Sequence, residues 1–280
     1  MTMPSLTSHI HLNVTNSLNE DIYSGDLTAQ LLPADAIVNA QVITREAAVL
    51  CGTQWFDGCM RPQDPNVEIR WQAKDGDRIN GGQLLCEIRG KARALCTAER
   101  SALNLLQTLS GTATRTREYV DAVAGSSVRI MDTRKTLPGL RQAQKYAVRV
   151  GGGYNQRFGL YDGILIKENH IAAAGGIKAV LALALRLAKP GISVQIEVEN
   201  LAQLEEALNA GAKLVLLDNF DLDGLRAAVK LNAGRAELEA SGGITLDTLR
   251  EVAATGIGRI SIGDITKNLH AADFTMRILP

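Results

Sequence analysis

Beyond residue 127 the chain repeats one pattern six times, and few folds accept that rhythm: a short apolar run ending in polar residues, then an amphipathic stretch. The runs are VRIMDT, DGILIK, SVQIEVE, KLVLLDN, AELEASG and RISIGD. Between them lie LRQAQKYAV, KAVLALALRLA, LAQLEEALNA, DGLRAAVKL and TLDTLREVAA, whose apolar residues recur at helical spacing. Six such units predict an α/β fold with a parallel sheet covered by helices, closed as a barrel or open and doubly wound. No G-x-G-x-x-G opens a first βα unit, so a dinucleotide-binding open sheet has little support and a barrel is expected.

The first third has a different rhythm. From Ala36 to Arg93, IVNAQVITR, VEIRWQA and LLCEIRG read as short strands with an Asp75-Gly76 turn among them, which predicts an antiparallel sheet. DGDRINGGQLL resembles the hairpin of biotinyl carrier domains, but no lysine flanked by small residues sits at a second tight turn. Thr97 to Ala124 carries Leu103, Leu106, Leu109 and Ala113 at helical spacing, with Thr97 as its cap, and this helix is expected to bridge the halves. His9 and His11 fall in a stretch expected to be mobile and have no metal-ligand partners. Cys51, Cys59, Cys86 and Cys96 lack C-x-x-C spacing and read as reduced, largely buried thiols.

Thirty basic residues balance thirty acidic ones, so no net field gathers nucleic acid or holds the chain on an anionic membrane. The amino terminus lacks the basic-then-apolar pattern of a signal peptide. The most apolar stretch, Ala179 to Leu187, contains Arg186 and follows Lys178. The expected location is the cytoplasm.

Barrel active sites gather at the carboxyl ends of the strands. Those ends carry Asp132, Thr133, Arg134 and Lys135; Lys167, Glu168, Asn169 and His170; Glu197 and Glu199; Asp218 and Asn219; Ser241, Gly242 and Gly243; Gly263 and Asp264. Glu197 and Glu199 share a face opposite Ile196 and Val198, which directs both toward the barrel mouth. The same parity sets Asp218 with Leu214 and Leu216, and Lys167 with Leu165, on inward faces. Carboxylates and cations converging there make either a structural ion network or a site for a charged substrate. SGGI before Thr245, and IGDIT, place free N–H groups ahead of a helix start, a geometry that accepts phosphate or simply permits a tight turn.

DTRKTLPGLR (Asp132 to Arg141) and QKYAVRVGGGYNQRFGLYDGILIKENH (Gln144 to His170) closely resemble the quinolinate phosphoribosyltransferase family. GDLTAQLLP, ERSALNLLQTLSG, QIEVENLAQLEEAL, LLDNF, EASGGI and ISIGDITK agree in order, so the likeness covers nearly the whole chain. It implies an amino-terminal α/β sandwich-like domain over 1–113, joined by the tail 268–280, and an incomplete parallel α/β barrel over 114–267. It further implies a homodimer whose sites are completed across the interface, with Arg100 supplied by the partner subunit. The implied reaction joins quinolinate and phosphoribosyl pyrophosphate to give nicotinate mononucleotide, CO2 and pyrophosphate, in NAD biosynthesis. Arg100, Thr133, Arg134, Gln156, Arg157 and Lys167 are then the quinolinate-binding residues. Lys135, Glu197 and Asp218 are the catalytic residues and meet phosphoribosyl pyrophosphate together with Ser241, Gly242 and Gly263. Mg2+, held mainly by substrate, is expected near Glu197 and Asp218.

The family usually has His where this chain has Gln156, and a small apolar residue where it has Asp264, whose side chain strand parity turns away from phosphate. His170 is read as a structural histidine. Alternative readings are a transferase for another small aromatic acid, a Schiff-base aldolase using Lys167, and a non-catalytic ligand-binding relative. Glutamine donates a hydrogen bond but carries no charge. Gln156→His is therefore expected, on this reading, to lower the quinolinate Michaelis constant; an unchanged or raised value in steady-state assays counts against it.

Overall fold

The structure, a computed structural model, describes residues 5–280. In chain order its elements are α1 (Leu6–Ile22), β1 (Ile37–Thr44), β2 (Ala48–Val49), α2 (Thr53–Met60), β3 (Glu68–Trp71), β4 (Arg78–Ile79), β5 (Leu84–Lys91) and α3 (Ala92–Ala122). There follow β6 (Arg129–Met131), α4 (Arg141–Val150), β7 (Gly163–Ile166), α5 (Glu168–Ala173), α6 (Ile177–Leu187), β8 (Ser193–Val198), α7 (Leu201–Asn209) and β9 (Leu214–Asp218). The chain ends with α8 (Leu222–Asn232), β10 (Glu237–Ser241), α9 (Leu246–Ala253), β11 (Arg259–Ser261), α10 (Asp264–Lys267) and β12 (Phe274–Ile278). Two compact units result: residues through Arg117 with Thr136–Gly152 and Thr266–Pro280, and Glu118–Lys135 with Gly153–Ile265.

The first unit holds a four-stranded antiparallel sheet in the order β12-β1-β5-β3. Its tail strand β12 pairs with β1, setting Met276 opposite Val42. The buried residues of α1, α2 and α3, including Val14, Trp55, Phe56, Leu103 and Leu106, form one apolar cluster with the buried sheet residues Val42, Cys86 and Ile88. The stretch with His9 and His11 is a helix, contrary to the expected mobility. The Ser5 hydroxyl accepts from Ser8 N–H at its start, and Ile10, Val14 and Leu18, four apart, bury one stripe. Inside it, the Asn13 side chain accepts from Trp55 Nε1 at 3.2 Å. Helix α3 begins at Ala92, ahead of the expected start, so Thr97 is no cap. Its hydroxyl donates to Asp26 Oδ2 and to Arg93 O from within the helix. Helix α4, expected among the barrel units, contributes Ala143 and Ala147 to the first unit's core.

The second unit is a six-stranded parallel sheet in the order β6-β11-β10-β9-β8-β7, as the repeating pattern predicts. Alternate residues serve opposite faces. Ile196, Val198, Val215, Leu217, Leu238 and Ala240 are buried, as are Leu204, Leu225 and Leu249 of the helices that alternate with the strands. Arg129 of β6 reaches Glu237 of β10 past the intervening β11, and Arg259 reaches the same carboxylate. Strands β6 and β7 form the two edges, so the barrel is incomplete. Tyr154 lies along β6, with Tyr154 N–H donating to Ile130 O and Asp132 N–H donating to Tyr154 O, which covers that edge. Among the described residues, no helix is long and apolar enough to cross a membrane.

Arg129, Arg259 and Glu237 open their strands, so this ion group lies at the amino ends, opposite the carboxyl rim. Removing its carboxylate leaves two partly buried guanidiniums facing each other. Glu237→Ala is expected to lower unfolding free energy by about 2 kcal/mol in urea melts, less than a fully buried pair would cost. A loss below about 0.5 kcal/mol would show that solvent screens the group.

Candidate active site

Parallel register assembles the carboxyl rim. Ile166 stands beside Ile196, so the next residues, Lys167 and Glu197, emerge side by side. Lys167 Nζ donates to Glu197 Oε2 at 2.8 Å and to Oε1 at 3.1 Å, and the glutamate side chain is only 11% exposed. Both contacts commit Lys167 Nζ to Glu197, which weighs against the aldolase reading. Asp218 pairs with Ser241 across β9 and β10, placing both at the same rim. Glu197 and Asp218 thus stand on adjacent strands as half-buried oxygen donors. Two carboxylates are the protein share that Mg2+ takes when phosphate oxygens and water supply the rest, so the donor set fits that ion.

Glu199 does not join Glu197. Strand β8 ends at Val198; Glu199 is exposed in the turn, where its N–H donates to Gln203 Oε1. His170 is a local tie, its Nδ1 accepting from Lys167 N–H at 3.0 Å. Asp264 opens α10 rather than continuing a strand, so the parity argument does not apply to it; an acidic first-turn residue suits the helix dipole.

Burial and then the neighbouring Arg134 charge pull the Arg157 guanidinium below its ordinary range, while Asp162 partly offsets them. Arg157 is half-buried, and its Nη1 donates to Gly163 O at 3.1 Å. Asp162 fixes the same loop by accepting from Phe158 and Gly159 N–H groups. Guanidiniums brought together at the cost of mutual repulsion suit a ligand with more than one negative charge.

Thr133 Oγ1 accepts from Lys135 N–H at 3.0 Å, and the Lys135 stem lies over Gly263, where an added Cβ would sit 3.1 Å from Lys135 Cδ. Gly242 has φ +104°, and a Cβ there would overlap the Asn219 amide. Asn219 itself donates to Asp218 Oδ2 at 2.9 Å, and its N–H donates to Ser241 O. The two glycine turns therefore allow close approach around Lys135 and Asp218. Arg100 is exposed on α3 in the first unit.

Gln156 departs most from expectation. Its Nε2 donates to both oxygens of Glu239, each at 2.5 Å, and lies 3.3 Å from Gln195 Oε1. Glu239 is 1% exposed and also accepts from Gln195 Nε2 at 3.1 Å. Asp132, fully buried, accepts from Asn155 Nδ2 at 2.6 Å and from Gln156 N–H at 2.8 Å. The sequence reading passed over Glu239 and Gln195. Glu239 stands two residues before Ser241, so the parity that selected Glu197 also selects it.

The chain matches the family described as "Quinolinate phosphoribosyl transferase, C-terminal domain" over residues 112–277 and the corresponding N-terminal domain family over 26–110. It is 42% identical over 272 residues to the probable nicotinate-nucleotide pyrophosphorylase (carboxylating) of Bacillus subtilis (strain 168), covering 96% of this chain and 94% of that protein. The corresponding enzyme of Mycobacterium leprae is 40% identical over 270 residues, covering 93% of this chain and 94% of that protein. A solved nicotinate-nucleotide pyrophosphorylase from Francisella tularensis superposes with a TM-score of 0.95 at 41% identity, covering 99% of this chain and 98% of that one. With family matches in both halves and relatives alike over nearly their full length, this chain belongs to the quinolinate phosphoribosyltransferase family.

Proposed function

We propose that this chain is a decarboxylating phosphoribosyltransferase that converts quinolinate and phosphoribosyl pyrophosphate to nicotinate mononucleotide, CO2 and pyrophosphate. The observation that carries the reading is the Lys167–Glu197 ion pair with Asp218 on one strand rim, in a chain where Arg134 and Arg157 are near enough for one charge to act on the other. Quinolinate presents two adjacent carboxylates on a planar ring, and planar guanidiniums match each of them bidentately. Thr133 and Lys167 complete the contacts from this chain, and Arg100 of the partner subunit closes the site in a homodimer.

Phosphoribosyl pyrophosphate lies over Lys135, with its 5′-phosphate received by Ser241, Gly242 and Gly263. As pyrophosphate departs, positive charge develops at the anomeric carbon, and Glu197 and Asp218 stabilise it. Lys135 stabilises the departing anion, and the pyridine nitrogen attacks the opposite face. The 2-carboxylate then leaves as CO2, and the electron pair left on C2, stabilised by the adjacent pyridinium, takes a proton from water. Glu197 and Asp218 would hold Mg2+ together with pyrophosphate oxygens, where the ion neutralises charge on the leaving group. Free thiols, three of them buried, suit the reducing cytoplasm as the place of action.

Incubation with phosphoribosyl pyrophosphate and Mg2+ is expected to yield nicotinate mononucleotide and one CO2 per turnover from quinolinate, with nicotinate a poor substrate. Equal turnover of nicotinate without CO2 release would sink the dicarboxylate reading. Gly242→Ala, whose methyl group would displace Asn219 and hence Asp218, is expected to reduce kcat/KM for phosphoribosyl pyrophosphate by about 100-fold. Circular dichroism is expected to show the fold retained; undiminished kcat/KM would remove Gly242 from the phosphate-binding turn.

A further inference from the structure

We propose that Gln156 is a positioning residue that sets the place of Arg157 by gripping the buried carboxylate of Glu239, and that it does not bind the pyridine acid itself. The inference rests on the reading of this site as a quinolinate site and assigns Gln156, Glu239 and Gln195 a part in its specificity.

The amide nitrogen has two hydrogens and faces three acceptors, both Glu239 oxygens and Gln195 Oε1. The carboxylate fixes the orientation of the amide, because the reverse orientation would set a carbonyl oxygen against two carboxylate oxygens. No N–H of this side chain remains for a substrate carboxylate. What the side chain does instead is anchor its own backbone. Gln156 is pinned on one side by Glu239 and on the other by Asp132, which accepts from its N–H.

Both anchors are buried carboxylates, 1% and 0% exposed, so each needs its donors and neither yields them cheaply. The next residue in the chain is Arg157, whose Nη1 donates to Gly163 O. Asp132 in turn stands two residues before Arg134. The two guanidinium-bearing segments thus meet at one carboxylate, and the Gln156 side chain ties that junction to β10 and β8. Loosening the amide lets Arg157 relax away from Arg134, because like charges drive them apart.

The test is a double-mutant cycle on Gln156 and Glu239, read as separate Michaelis constants for the two substrates. Gln156→Leu, similar in size but without a donor, is expected to raise the quinolinate KM about tenfold, the scale of one lost hydrogen bond to a charged group, with the phosphoribosyl pyrophosphate KM unmoved. Glu239→Leu is expected to do the same, and the double variant to be no worse than either single one. Gln156→His, which keeps an N–H toward Glu239, is expected to leave the quinolinate KM near the wild-type value rather than lower it, as a substrate-facing imidazole would. If Glu239→Leu does not fold by thermal melt, Glu239→Asp, which withdraws the carboxylate by one methylene, takes its place in the cycle.

A direct substrate contact would give another pattern: Gln156→Leu raises the quinolinate KM, changes at Glu239 leave it near wild type, and the effects add. That pattern, or an equal rise in both Michaelis constants, overturns the inference. Wild-type turnover of quinolinate is measured in the same series. Its absence would sink the functional reading, whereas turnover with the additive pattern sinks the positioning role alone.

Discussion

Lys167 and Glu197 meet because β7 and β8 run parallel and in register, and the rest of the site depends on that constraint. Parallel pairing sends every carboxyl end to one rim, so residues distant in sequence emerge as neighbours without any loop having to carry them there. Asp218 and Ser241 follow by the same pairing one strand further on. Loops then need only supply what strands cannot, namely the Arg134, Lys135 and Arg157 side chains and two glycine turns. Groups on strands are held more tightly than groups on loops. Here the carboxylates assigned to the reacting sugar sit on strands, and the cations assigned to the ring and its leaving group sit beyond them.

The second unit treats its arginines in two ways. At the amino end, Glu237 stands between Arg129 and Arg259, so the guanidiniums are met by a carboxylate inside the fold. Elsewhere in the same unit, the Arg134 charge acts on Arg157, whose guanidinium donates to Gly163 O. The difference lies in what stands beside the arginines. Repulsion between like charges is tolerated where a ligand of opposite charge relieves it.

Much of this was legible in the sequence because period-two apolar runs with polar ends survive translation into strands almost unchanged. KLVLLDN became β9 with Asp218 at its end, and SVQIEVE became β8 with Glu197 near its end. Other features depended on partners remote in the chain. The stripe Ile10, Val14 and Leu18 is thin and set among polar residues, and it reads as a helix only once the first unit's core is there to bury it. Thr97 looked like a cap because threonine often is one, but the backbone was already helical five residues earlier. Where α4 packs could not be read from its own amphipathic pattern, since such a face does not name the core that receives it.

Gln156 shows most sharply where reading by neighbours fails. Beside Arg157 in the chain, it invites the inference that both meet the same substrate, yet its partner is a carboxylate 83 residues away. Once Glu239 is known, an amide rather than an imidazole at position 156 has a physical logic. An imidazole facing a buried carboxylate takes up a proton readily and would add a third positive charge beside two guanidiniums that already repel. The amide supplies the same donor without that charge. Glu239 keeps its hydrogen bonds, and its negative charge is not cancelled by a cation at position 156. The substitution therefore preserves the geometry of the junction while lowering the positive charge around it. A cation-rich site that must also release a charged product has reason to favour that balance.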